Sequence, residues 1–118
     1  MIVLNRNELN ILKKIRLDII KCFLKLFILT QLKNRSPLSG YDLVEIIHQQ
    51  FGLGLSPGTV YSELYSMERE GLIKPRAASS IKNRKREYIL MAEGQKLLGI
   101  NAKFEDDIVS FVRKILIG

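Results

Sequence analysis

The segment that most limits what this chain can fold into runs from Ser56 to Arg86, SPGTVYSELYSMEREGLIKPRAASSIKNRKR. It opens as a helix start. The Ser56 hydroxyl can cap free N–H groups, and Pro57 suits the first helical position, where no N–H is missed. Val60, Leu64 and Met67 recur at spacings of four and three and mark the buried side of a helix over 56–70. Gly71 stops that helix. Leu72 and Ile73 then begin a strand in which Pro75 points to an edge position, because proline cannot donate to a ladder. A loop over 77–85 leads to the returning strand Glu87 to Met91, with Tyr88 and Leu90 on one face. A short helix feeding a β-hairpin is therefore the unit around which the remainder is arranged.

The hairpin carries an unusual share of the charge. The chain has 19 Lys and Arg against 12 Asp and Glu, a formal net charge of +7. Six of the basic residues (Lys74, Arg76, Lys82, Arg84, Lys85 and Arg86) lie between Gly71 and Arg86, where there is no acid. Elsewhere the signs are nearly mixed. A concentrated basic loop neutralises phosphates without regard to sequence and in a salt-sensitive way, and the sequence pI of about 9.7 is in the range of nucleic-acid binders. On the helix before it, the side opposite the apolar positions carries Gly58, Thr59, Ser62, Glu63, Ser66 and Arg69. Small side chains near a helix start let the backbone approach a phosphate or base edge, and hydroxyls can donate or accept there. An ordinary solvated face has the same composition, so the helix and the basic loop argue best together.

In chain order, residues 8–33 read as helix, broken or bent near Leu17. Lys14, Asp18, Lys21 and Lys25 form a solvent stripe at spacings of four, three and four. Its apolar residues, Ile19, Phe23 and Phe27 among them, exceed what one small core needs, so part of that surface is expected to cover a partner subunit. Cys22, the single cysteine, sits among Ile19, Phe23 and Leu26 and is expected as a small buried apolar residue in a reducing cytoplasm. Ser36 and Pro37 end the helix. A second helix over 39–51 starts at Ser39, with Asp42 three residues on as the reciprocal cap. A last helix over 92–116 places Leu97, Asn101, Phe104, Ile108, Phe111 and Ile115 on a seven-residue seam that needs a partner helix, in its own chain or across a two-fold axis. Asn101 reads either as a register-setting polar residue in that seam or as a solvent-facing one.

Several function classes are disfavoured. At 118 residues the chain suits one domain, 1–118. No apolar run approaches the roughly 20 residues of a membrane span, and no signal-peptide pattern is visible. One histidine, His48, and one cysteine leave no metal spacing, and the glycines at 52 and 54 lack the third glycine and preceding strand of a nucleotide loop. No enzyme, metal or cofactor is expected, and a membrane-surface role for the first helix is a distant third reading. The fold class expected is mainly α with a small β-hairpin wing: a winged helix-turn-helix (39–51 and 56–70, wing 72–91) flanked by N- and C-terminal dimerisation helices.

The residues also resemble the PadR family of winged-helix transcriptional regulators. The likeness rests on the Gly40-Tyr41 pair, the run Ser56-Pro57-Gly58-Thr59-Val60-Tyr61, Leu64, Glu70-Gly71-Leu72, Tyr88 and Glu93-Gly94, which together span about residues 32–98. That resemblance implies a homodimer, usually a repressor, with recognition helices in successive major grooves and wings on flanking backbone or minor groove. It makes Tyr41, Ser56, Gly58, Thr59, Tyr61 and Ser62 the candidates on the helix-turn-helix and Lys82, Arg84, Lys85 and Arg86 those on the wing. Tyr61 is ambiguous between the base of the motif and a phosphate contact. For dimerisation the candidates are Ile19, Phe23, Phe27, Phe104, Ile108, Phe111 and Ile115. Met91 stands where the family commonly has a threonine cap. The single C-terminal helix resembles the short branch, so an effector is not implied. The alternative reading is a winged helix without sequence preference, serving as an architectural or interaction module.

Overall fold

A computed structural model describes residues 3–76 and 86–118. Six helices and three short strands follow the order α1 (Arg6–Cys22), α2 (Leu24–Asn34), β1 (Leu38–Ser39), α3 (Gly40–Phe51), α4 (Pro57–Arg69), β2 (Ile73–Arg76), β3 (Glu87–Leu90), α5 (Ala92–Lys103) and α6 (Glu105–Ile117). The strands form one antiparallel sheet in the order β1-β3-β2. Leu38 pairs with Tyr88 on one side of β3, and Pro75 pairs with Tyr88 on the other. Pro75 thus lies on an edge strand, where its missing N–H costs no ladder bond.

Local chemistry explains most element ends. Ser39 and Asp42 cap α3 reciprocally: the Asp42 N–H donates to Ser39 Oγ at 3.0 Å, and the Ser39 N–H donates to Asp42 Oδ2 at 2.9 Å. Ser56 caps α4, accepting from the Thr59 N–H at 3.2 Å, with Pro57 at the first helical position. Gly71 closes α4 at φ 77°, a left-handed conformation open to glycine at little cost. The Leu72 N–H then reaches back to the Met67 carbonyl at 3.0 Å.

Two expected helices are each divided. The helix expected over 8–33 breaks at Phe23 (φ −103°, ψ 9°), not near Leu17. The two halves have different packing: α1 contributes no buried residue, whereas α2 buries Leu24, Ile28, Leu29, Gln31 and Leu32. The helix expected over 92–116 breaks at Phe104 (φ −113°, ψ 18°), which splits the proposed seven-residue seam between α5 and α6. Cys22 is exposed rather than buried, because it lies on the α1 side facing α6, outside the core. The strand β1 was not anticipated. Its two residues pair with a segment distant in sequence and carry no periodic signal.

The core is continuous from α2 through α3 and α4 to the sheet, with Leu43, Ile47, Val60, Leu64, Met67 and Tyr88 fully buried. Helix α5 is drawn against it by a backbone contact. The Met91 N–H donates to the Leu72 carbonyl at 3.0 Å. One turn on, a Cβ at Gly94 would collide with that same carbonyl oxygen and stand 2.7 Å from Leu90 Cδ1. Met91 itself gives α5 no side-chain cap.

Two substitutions test this packing. Alanine favours helix over glycine by about 1 kcal/mol, but at Gly94 the obstacle is backbone and cannot swing aside. Gly94→Ala should therefore destabilise the protein by about 1–3 kcal/mol in urea unfolding. Met91→Thr should supply the absent cap and stabilise by about 1 kcal/mol in the same assay.

Candidate nucleic-acid interface

The first turn of α4 is built to be approached. Ser56, Gly58 and Ser62 are exposed, Thr59 is half-buried, and the first turn holds no acidic residue. Ser56 and Thr59 are joined by a hydroxyl–hydroxyl hydrogen bond of 2.8 Å, so the Thr59 side chain is part of the cap as well as of the surface. Pro57 brings no N–H and that of Thr59 is taken by the Ser56 cap, so it is the positive end of the helix dipole that favours an anion here. This turn lies beside an open depression of about 540 Å³ that Ser56, Gly58, Thr59, Ser62 and Glu63 share with Lys21 and Leu24.

Tyr61 points to the base of the motif. It is half-buried against the core, and a Cβ on Gly40 would run into its ring. The glycine that opens α3 is thereby explained by the tyrosine on α4. Tyr41 is exposed and lines a separate shallow depression of about 340 Å³ with Val44, Glu45, His48, Gln49 and Gly54. The structure thus gathers Ser56, Gly58, Thr59 and Ser62 at one place and sets Tyr41 on a different surface of the motif.

On the wing, Lys82, Arg84 and Lys85 lie outside the described residues. Arg86 is described, and its charge is not free. Its Nη2 donates to Glu68 Oε1 at 3.1 Å and Oε2 at 3.3 Å, and its guanidinium carbon lies 5.9 Å from the centre of the Tyr88 ring. Both partners are substantially exposed, so the pair stabilises by at most about 1 kcal/mol. Its role is geometric: it joins the root of β3 to the last turns of α4. Lys25, expected on a solvent stripe, likewise pairs with Glu70 at 3.0 Å.

The dimer candidates divide into groups. Ile19 of α1, Phe23 at the α1–α2 break, and Ile108, Phe111 and Ile115 of α6 line one apolar groove of about 810 Å³. Phe27 packs instead on Phe51, ring centres 5.5 Å apart, at the edge of the core, and Phe104 is exposed at the α5–α6 break. Asn101 is half-buried and borders a smaller depression with Phe27 and Gln31. Lys21 is the residue that sequence reasoning missed. Its spacing places it with solvent-exposed lysines, and only the tertiary structure sets it along the same depression as Ser56.

Helix-turn-helix, three-stranded sheet and flanking helices define a winged-helix protein. Residues 28–100 match the model of the transcriptional regulator PadR-like family, and the chain belongs to that family. Among solved structures, a PadR family regulator from Eggerthella lenta has a TM-score of 0.75 at 23% identity, covering 92% of this chain and 94% of that one. The transcriptional regulator TA0346 of Thermoplasma acidophilum has a TM-score of 0.73 at 22% identity, covering 86% and 97%. Bacillus subtilis PadR, solved in complex with operator DNA, is 30% identical with a TM-score of 0.56, over 64% of this chain and 44% of that one. No curated protein matches the sequence. Among the described residues, no helix is long and apolar enough to cross a membrane, and no cluster of His, Cys, Asp and Glu is placed to hold a metal ion.

Tyr88 gives this region a measurable signature. It is fully buried, and its hydroxyl has no hydrogen-bond partner among the described residues. Burial raises its pKa above the ordinary 10.0, against an opposing pull from Arg86. Below about pH 10 both folded and unfolded chains hold the proton, and stability is unaffected. Above it the unfolded phenol ionises first, so stability falls as pH rises. Tyr88→Phe should remove the Tyr88 share of that alkaline fall and, by removing a buried hydroxyl with no partner among the described residues, raise stability at neutral pH by about 1 kcal/mol. Thermal unfolding at pH 7 and above pH 10 measures both effects.

Proposed function

We propose that this protein is a homodimeric, sequence-specific DNA-binding repressor of transcription. In this reading α4 enters the major groove and the basic wing grips the backbone or minor groove. The observation that carries the reading is the start of α4: exposed small and hydroxyl-bearing residues at Ser56, Gly58 and Ser62, with no acid in the first turn. Small residues there bring the helix start within reach of base edges, and hydroxyls serve as donors or acceptors. Membership of the PadR-like family supports the role, as does the operator complex of the 30%-identical Bacillus subtilis protein.

The wing supplies grip rather than discrimination. Each lysine or arginine that neutralises a phosphate adds about 0.9 to the slope of log affinity against log salt, whatever the sequence beneath it. Dimerisation sets two such modules about a two-fold axis, so the target is a palindrome with half-sites about one helical turn apart. The apolar groove between α1 and α6, with Ile19, Phe111 and Ile115 exposed in the single chain, supports that association. Repression follows from occupancy of a promoter. No catalysis or cofactor enters this function, and its setting is the cytoplasm.

Selection of bound duplexes from a random library tests the reading: a palindromic motif is the expected result, and enrichment of no motif would establish non-specific binding instead. Ser62→Ala should narrow the affinity ratio between the enriched site and random DNA. Replacing Lys82, Arg84 and Lys85 together with alanine should weaken both about equally, and titrations at several salt concentrations separate the two effects. Light scattering at micromolar concentration should report a dimer; a monomer there would remove the two-fold arrangement.

A further inference from the structure

Helix α1 ends before the segment that matches the family model, residues 28–100, and adds no buried residue to the core. Its C-terminal end nevertheless reaches the candidate interface. Lys21, in the last turn of α1, lines the same open depression as Ser56, Gly58, Thr59 and Ser62 at the start of α4. The lysine is exposed. Ion pairs among the described residues join Lys25 to Glu70 and Arg86 to Glu68, and neither involves Lys21. Glu63 borders the depression too, without pairing with it.

From this juxtaposition we infer that Lys21 is a DNA-phosphate contact supplied by the N-terminal helix, anchoring the backbone of the strand that passes the start of α4. The inference rests on the DNA-binding reading above and names a residue outside the helix-turn-helix and wing. A lysine serves here as a flexible point charge on a long stem, suited to a phosphate and not to a base edge. It acts beside the positive end of the α4 dipole, so the two sources of positive potential converge on one anion. Contacts of this kind fix register on the duplex and carry no sequence information.

A simpler role for Lys21 is to complement the negative end of the α1 dipole, and the experiment separates the two. Lys21→Gln and Lys21→Arg are compared with wild type by binding titration on the enriched duplex and on a scrambled duplex of equal length, across a range of salt. Thermal unfolding is measured alongside. Lys21→Gln should weaken binding to both duplexes by roughly five- to tenfold near 0.1 M salt and lower the log–log salt slope by about one. Lys21→Arg should restore affinity and slope. Unchanged affinity and slope in Lys21→Gln, with or without a lower melting temperature, would overturn the inference while leaving the DNA-binding reading intact. A loss confined to the enriched duplex at constant slope would also overturn it. Failure of the wild-type protein to bind either duplex would remove both.

Discussion

The fold depends on the central strand β3 and the burial of Tyr88 at its middle. Leu38 flanks Tyr88 on one side and Pro75 on the other. The strand of the first, β1, directly precedes α3, and the strand of the second, β2, follows α4 after the three residues Glu70 to Leu72. One strand therefore holds both ends of the helix-turn-helix, and backbone pairing in the sheet helps to set the orientation of α4 relative to β2 and β3. Apolar burial then holds the sheet in place: Ile73 and Tyr88 face the same core as Val60, Leu64 and Met67. The Tyr88 hydroxyl, which has no hydrogen-bond partner among the described residues, goes into the core with the large ring at that junction.

What could be read from the sequence is what nearby residues decide. Ser39 with Asp42, Ser56 with Pro57, and Gly71 each end an element through contacts within a few positions, and all three are evident in the chain. Pro75 revealed an edge strand for the same reason. The divisions at Phe23 and Phe104 were not legible, because neither site carries a proline or glycine and helical periodicity continues through both. They reflect where each half packs, which is a property of the tertiary structure. The β1 pairing, the bond between Glu68 and Arg86, and the position of Lys21 beside Ser56 are likewise long-range. Arg86 shows the limit well: a charge that looks free in a basic run is engaged by a carboxylate one element earlier.

The terminal helices differ in kind from the module between them. Both α1 and α6 lack buried residues, yet their facing sides bring Ile15, Ile19, Phe111 and Ile115 into one apolar groove. Isolated helices of this length are marginal in water, and apolar surface of this extent on a small domain marks an association site. The same residues that make the central module a winged helix leave its flanks incomplete, and the proposed homodimer is the arrangement in which those flanks acquire a core.

The turn at Gly71 has a mechanical consequence. Only Glu70 to Leu72 separate α4 from β2, and the Leu72 carbonyl also receives the Met91 N–H at the entrance to α5. Helix α4, strand β2 and α5 thereby meet at this one carbonyl. On the proposed reading, α4 and the root of the wing share one anchor, so a change at the Leu72 carbonyl would shift the reading helix and the strands that bear the wing together.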